Sequence, residues 1–211
     1  MRSLIVYTDY KSPYAFVAKD LIYRLAEETG AQLDWRPYTL DIPSYLGSAE
    51  LDSEGRVIAE ARTAYQWRKV RYAYMDCRRE ANRRGLTLRG PRKIWNSSLA
   101  AIGLLWARER GPDALRAYSD RTFERFWRRE LDIEDPAVVE AVLGEAGAGV
   151  EGFRDYLAGE GRALHDRIRA EAEAAGVFGV PSFVLEGELF WGRENLLLIR
   201  ERLEGAATPA T

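Results

Sequence analysis

The sequence predicts an α/β fold in which a βαβ unit opens the chain, a ββα unit closes it, and a large all-helical segment lies between them. Three observations carry this. The apolar run Leu4 to Tyr7 leads straight into Asp9-Tyr10-Lys11-Ser12-Pro13-Tyr14-Ala15 and a helical repeat. From about Ile42 to Ala175 the pattern is helical, broken by glycines, with no convincing strand. Short β-type runs return only at Ser182 to Glu186 and Leu189 to Trp191.

Taken in order, Leu4 to Tyr7 reads as a strand covered on both faces, because its apolar run is continuous rather than alternating. Ser12 is a favoured helix N-cap and Pro13 suits the first helical position. Apolar residues at Ala18, Leu21, Ile22 and Leu25 continue that helix to about Glu28, and Gly30 closes it. The Ser12 hydroxyl is thereby expected at the positive end of a helix, beside unpaired backbone N–H groups. A thiol bound there ionises more easily, as a cysteine does at a helix N-terminus. Helix capping alone is the simpler reading of a Ser-Pro pair. Ala31 to Arg36 alternates, with Leu33 and Trp35 on one face, and reads as a second strand ended by Pro37 and Pro43. Strand, helix and strand in so short a span make a βαβ unit with parallel strands and a right-handed crossover.

Residues 46–56 look like a loop. Helical stretches follow at Val57 to Arg84, Ser97 to Arg110, Asp113 to Arg129, Pro136 to Glu145, Val150 to Leu157 and Glu160 to Ala175. The two late β runs flank Gly187-Glu188 and suggest a hairpin, and Arg193 to Leu203 is a last helix. The expected organisation is one α/β domain in two parts, 1–41 and 176–204, a helical insertion subdomain at 42–175, and a disordered tail at 205–211. A helical subdomain above a sheet makes a cleft, the usual place for a ligand.

Composition bounds the functions. The 211 residues are 46% hydrophobic and 30% charged, a globular composition with a full core. The net charge of −2 supplies no overall field for nucleic acid or an anionic membrane. No apolar run reaches the roughly 18 residues of a membrane-spanning helix. The N-terminus enters a strand without a basic-plus-apolar leader, so a cytoplasmic location is expected. One cysteine, Cys77, excludes an internal disulfide and a Cys-x-x-Cys pair, and it reads as a small buried apolar residue. The one histidine, His165, sits among Asp166, Arg167 and Arg169 and reads as solvated. With one of each, no zinc site of the usual ligands is expected.

The order βαβ, helices, ββα is the thioredoxin topology with a large helical insertion. Two segments sharpen this: Asp9-Tyr10-Lys11-Ser12-Pro13-Tyr14 and Gly176-Val177-Phe178-Gly179-Val180-Pro181, the latter followed by Phe190-Trp191-Gly192. On them the chain resembles the DsbA-like branch of the thioredoxin superfamily, in particular the 2-hydroxychromene-2-carboxylate isomerases and the kappa-class glutathione transferases. Lys69-x-Arg71-Tyr72-x-x-x-Asp76 resembles a further motif in the insertion, and Trp95-Asn96 and Glu130 to Pro136 match more loosely. In redox members the turn is Cys-x-x-Cys; here Ser12 and Ala15 hold the two cysteine positions, so dithiol exchange is lost there.

What the resemblance implies is a thiolate of glutathione at Ser12 and a cis peptide bond at Val180-Pro181, whose backbone would pair with the glutathione peptide as an added strand. It also assigns Arg193 and Glu194 to the γ-glutamyl end and Lys69 to a carboxylate. Each has a plain alternative: helix opening for Arg193 and Glu194, a solvated cation for Lys69. An aromatic acid substrate is placed by residue type and neighbourhood against Tyr14, Tyr10 or Trp95, with Asn96 beside it or acting only as a helix cap. Relatives usually carry a Gly-Asn-x-Pro-Pro-like loop before the Lys69 helix, with an asparagine that contacts glutathione; residues 44–57 hold no asparagine and no paired prolines. Three functions stay open at this point: a glutathione-dependent isomerase, a glutathione transferase of the kappa type, and a non-catalytic binding protein on the same fold. A homodimer is expected by resemblance alone.

Overall fold

A computed structural model describes residues 2–205; the tail expected at 205–211 lies outside them except for Gly205, in the turn after the last helix. The chain opens with β1 (Ser3–Thr8), α1 (Pro13–Thr29) and β2 (Gln32–Pro37). β1 and β2 are parallel, with Leu4 opposite Leu33 and Val6 opposite Trp35. Gly30 ends α1 at φ 69°, a left-handed conformation that glycine adopts without steric cost.

The insertion runs through α2 (Ile42–Leu46), β3 (Ala49–Leu51), β4 (Val57–Glu60), α3 (Ala64–Arg83), α4 (Ser98–Glu109), α5 (Pro112–Arg128), α6 (Pro136–Glu145), α7 (Phe153–Ala158) and α8 (Glu160–Ala174). Then β5 (Ser182–Leu185), β6 (Glu188–Trp191), a 3-10 turn at Arg193–Asn195 and α9 (Leu196–Leu203) close the chain. β5 runs antiparallel to β1, and β6 antiparallel to β5, so the main sheet has the order β2-β1-β5-β6. This is the βαβ and ββα arrangement read from the sequence. Among the described residues, no helix is long and apolar enough to cross a membrane.

Four readings need correction here. The insertion is not all-helical: β3 and β4 form an antiparallel hairpin where a loop and the start of a helix were expected. Its turn is set by Asp52, whose Oδ1 accepts from the Glu54 and Arg56 N–H groups, each at 2.9 Å. The next helix starts at Ala64, not Val57, because Thr63 caps it. The Thr63 Oγ1 accepts from Gln66 N (3.2 Å) and Gln66 Oε1 accepts from Thr63 N (2.8 Å), a capping box that Thr-x-x-Gln spells out. The late hairpin turns at Glu186-Gly187, one residue earlier than expected, where both residues have positive φ (52° and 85°), as a type I′ turn requires.

His165 is the fourth correction. It is buried, with Nε2 2.8 Å from Thr39 Oγ1 and Nδ1 2.9 Å from Asp166 Oδ1. It shares the buried stripe Gly161, His165, Ile168 and Ala172 of α8, which packs on β2. Burial, reinforced by Arg162 and Arg169 and only partly offset by Asp166, holds its imidazole below the ordinary value.

The core joins the two halves of the α/β unit to the insertion. Phe16 of α1 stacks on Phe123 and Trp127 of α5, with ring centroids 5.9 Å apart in each pair. All three rings are almost wholly buried. The insertion is therefore fixed on the helix that Ser12 caps, and the position of the cleft between them follows from that packing.

Candidate active site

The site is built on the turn between β1 and α1, and Asp9 holds that turn. Its Oδ1 accepts from Lys11 N (3.1 Å) and its Oδ2 from Leu40 N (2.8 Å), which ties the turn to the chain leaving β2. Ser12 N donates to Asp9 O at 3.0 Å. Ser12 is then extended (φ −86°, ψ 116°) and caps α1, its Oγ accepting from Ala15 N at 3.2 Å. The same hydroxyl donates to Val180 O at 3.3 Å. Pro13 has no N–H, Ala15 N is held by Ser12 Oγ and Phe16 N by Ser12 O. Among the described residues, the Tyr14 N–H of this first turn has no hydrogen-bond partner.

The facing loop, Gly176 to Pro181, is anchored from both sides. The Val180–Pro181 peptide is cis. Gly192 N donates to Pro181 O (2.9 Å) and Ser182 Oγ to Gly179 O (2.7 Å). A Cβ on Gly179 would lie 2.7 Å from Trp191 Nε1, so the loop can pass this close to the indole only as glycine. The Val180 N–H has no partner among the described residues, while its carbonyl receives Ser12.

Ser12 and Val180 meet in a cleft of about 1550 Å³ between the α/β unit and the insertion. Of the residues singled out from the sequence, Ser12, Tyr14, Lys69, Trp95 and Val180 line it together. Lys69 stands exposed on α3, with Nζ 5.5 Å from the centroid of the Tyr65 ring. Trp95 packs edge-on against Phe126, and Lys93 Nζ lies 4.2 Å over its face.

The others are elsewhere. Tyr10 is a correction: it does not line the cleft but is buried in the core, edge-on to Tyr118 and Phe123, with its hydroxyl 3.3 Å from Ser119 Oγ. Asn96 also lies off the cleft; its Oδ1 accepts from Ser98 N (3.0 Å), a local turn at the start of α4. Pro181 is buried and lies outside the cleft lining. Arg193 lies outside the cleft lining in an ion pair with Asp76 of α3 (3.1 Å). Burial would lower its pKa, but the bond to Asp76 outweighs it and holds Arg193 above its ordinary value. Glu194 is exposed at the 3-10 turn, likewise outside the lining.

The sequence reading missed Tyr45, Trp67 and Tyr74 and a wall of arginines in the lining. The signal for the wall was present in the density of cations along Arg68, Lys69, Arg71 and Arg78. Tyr14 and Tyr74 are each pushed up to about 12, first by burial. Both phenols thus stay protonated at neutral pH. Cys77 is fully buried, and burial pushes its thiol up to about 12, so it is no nucleophile. With Ser12 and Ala15 on the turn and Cys77 buried, no dithiol exists in this cleft.

Comparison with known proteins agrees with this geometry. A profile described as DSBA-like thioredoxin domain matches residues 3–204. The 2-hydroxychromene-2-carboxylate isomerase of Sphingobium xenophagum is 24% identical over 203 residues, covering 92% of this chain and 94% of that protein. A solved 2-hydroxychromene-2-carboxylate isomerase superposes with a TM-score of 0.72 at 22% identity, covering 95% and 94% of the two chains. A cytosolic disulfide reductase from Pseudomonas aeruginosa, solved with GSH, superposes at 0.60 with 17% identity, covering 96% and 95%. An α/β sheet in the order β2-β1-β5-β6, a helical insertion and a full-length profile match lead to one conclusion: the chain belongs to the DSBA-like thioredoxin domain family.

Proposed function

We propose that the protein is an isomerase of the 2-hydroxychromene-2-carboxylate isomerase type, acting on an aromatic or unsaturated acid with glutathione as its thiol cofactor. The observation that carries this reading is Ser12, a buried residue at the N-terminus of α1 that lines the cleft and turns its hydroxyl toward Val180. The donor set suits a thiol tripeptide. The Val180 N–H is free to pair with a peptide carbonyl, as an added strand would. Lys69 stands at the rim for a carboxylate. Ser12, Val180 and Lys69 would hold glutathione, which would supply a thiolate for reversible nucleophilic catalysis at an electron-poor carbon of the acid.

The protein's own contribution is electrostatic. At 3.3 Å the bond from Ser12 to Val180 O is long, so turning the Oγ–H onto a thiolate exchanges a weak neutral bond for a charge-assisted one, which is roughly twice as strong. The α1 N-terminus adds about half a positive charge, and the Tyr14 N–H points out of the same turn. Together these draw a thiol pKa of about 8.5 toward neutrality. Tyr14 and Tyr74 keep their protons and can donate to a carboxylate or a developing oxyanion.

The test is turnover of 2-hydroxychromene-2-carboxylate with glutathione assayed in parallel. The reading expects isomerisation without consumption of glutathione and a loss of about a hundredfold in kcat for Ser12→Ala. Stoichiometric loss of glutathione would instead identify a transferase. Unchanged turnover in Ser12→Ala would end the Ser12 mechanism.

A further inference from the structure

The cations of this protein are sorted by place. Among the described residues, 22 of the 31 lysines and arginines form ion pairs, and the other nine are Arg24, Arg62, Arg68, Lys69, Arg71, Arg78, Arg89, Arg92 and Arg129. All of these but Arg24 and Arg89 line the one cleft that contains Ser12. Among the described residues, Glu60 is the sole acidic residue in that lining, and Glu130 and Asp132 border a smaller adjoining cavity with Arg92 and Arg129 without forming ion pairs to them. A chain of net charge −2 has thus gathered seven of these nine unpaired cations in one concave place. Scattered surface cations would carry no such meaning; like charges brought together without counter-charges repel, and the arrangement is stable only weakly on its own.

The tightest part of this wall surrounds Gly90. Arg129 Nε donates to Gly90 O at 2.8 Å. A Cβ on Gly90 would lie 3.5 Å from Arg78 Nη2, so that guanidinium is also at van der Waals range. Arg92 follows two residues on, its Nη2 donating to Ser53 O at 3.1 Å, and Arg78 Nε donates to Leu88 O at 3.3 Å. The three side chains are therefore held by carbonyl oxygens, which fix their direction without cancelling their charge. Arg129 also ends α5 at φ 64°, the left-handed conformation that glycine supplies at the end of α1. A side chain there is strained relative to glycine. Arg129 lies below its ordinary pKa, through burial first and then through Arg92, Arg89 and Arg78.

Glutathione does not account for this wall. Its two carboxylates need two or three cations, and Lys69 already stands at the rim. The planar guanidinium fork matches a pair of phosphate oxygens in two-point contacts. At about 1550 Å³ the cleft also exceeds the roughly 300–1,000 Å³ usual for small ligands. Trp95 and Tyr74 give it aromatic faces, and the cations line a concavity rather than a convex face of the kind a duplex or a bilayer would need.

We propose that Arg78, Arg92 and Arg129 form a phosphate or pyrophosphate subsite around Gly90, and that the cleft takes a nucleotide-linked ligand whose reactive end points to Ser12. Only the direction of that reactive end rests on the function proposed above; the phosphate subsite stands apart from it.

The test is calorimetric titration of inorganic pyrophosphate into the full chain, then of coenzyme A with and without pyrophosphate. Pyrophosphate should bind with a Kd below about 1 mM, more weakly as salt rises. Arg78→Gln/Arg129→Gln should weaken it by at least about tenfold, while Arg24→Gln, which removes an unpaired cation outside the cleft, should not. Coenzyme A should bind and be displaced by pyrophosphate. Thermal melting by circular dichroism checks that the variants fold, and Arg92→Gln, on an exposed side chain, supplies the same test if the double variant does not. Ser12→Ala should leave pyrophosphate binding intact, so a failure of the Ser12 mechanism and a failure of this subsite read out separately. No binding at about 10 mM pyrophosphate, or equal binding by the arginine variants, would overturn the subsite. Coenzyme A binding that persists in saturating pyrophosphate would overturn the nucleotide-linked ligand.

Discussion

The Ser12 hydroxyl donates to the Val180 carbonyl at 3.3 Å, across 168 residues of sequence. One end of that contact caps α1, and the other belongs to the loop before β5. The two motifs at opposite ends of the chain thus close on one point, and the cleft opens directly over it. Oxygen, not sulfur, occupies that point.

A thiol installed there should report the field. In a Cys77→Ala background, Ser12→Cys should alkylate with iodoacetamide along a pH curve whose midpoint lies below the ordinary cysteine value of about 8.5. The parent protein, with Cys77 buried and its thiol pushed up to about 12, should not react until it is unfolded. Rapid alkylation of the native parent would contradict the second expectation.

His165 should make the protein acid-sensitive. Its folded pKa is depressed, so the unfolded chain binds the proton more readily. The stabilisation is complete above the unfolded value of 6.5 and declines as pH falls from there toward the folded value. Tm should therefore drop more steeply below 6.5 in the parent than in His165→Gln, measured by differential scanning calorimetry. Parallel Tm profiles would show that His165 contributes no linkage.

Gly103 is set against Tyr118. A Cβ there would come within 2.2 Å of the Tyr118 hydroxyl and 3.1 Å of Val139 Cγ1. Tyr118 is fully buried and donates to Ala100 O at 2.8 Å, so it has no free space to yield. Gly103→Ala should cost about 1–3 kcal/mol by urea unfolding, despite alanine's better helix propensity. A stabilised variant would mean that α4 and α5 can separate without loss.

The sequence was most legible where one local rule decided the structure. Ser12, Pro13 and Gly30 mark the two ends of α1, and β1 showed itself as an unbroken apolar run. It was least legible where distant packing decided. Tyr10 stands next to the site in sequence, yet its ring faces inward because Tyr118 and Phe123 of α5 make a pocket for it. His165 was judged by its charged sequence neighbours, whereas Gly161, Ile168 and Ala172, spaced at helical intervals, show which face it shares. The hairpin at 49–60 is short, and β4 is exposed along its length, so no apolar alternation advertised it. Which cations lack partners is a fact of tertiary structure, and only the fold brings Arg78, Arg92 and Arg129 to one end of the cleft.

We propose that the Ser12 turn holds the thiol of glutathione, and calorimetric titration of glutathione into the parent and Ser12→Ala proteins tests this. Glutathione should bind the parent with a Kd at or below about 1 mM and bind Ser12→Ala about tenfold more weakly, corresponding to one charge-assisted hydrogen bond. Equal affinity in both proteins, or no binding to the parent at several times about 1 mM glutathione, would contradict it.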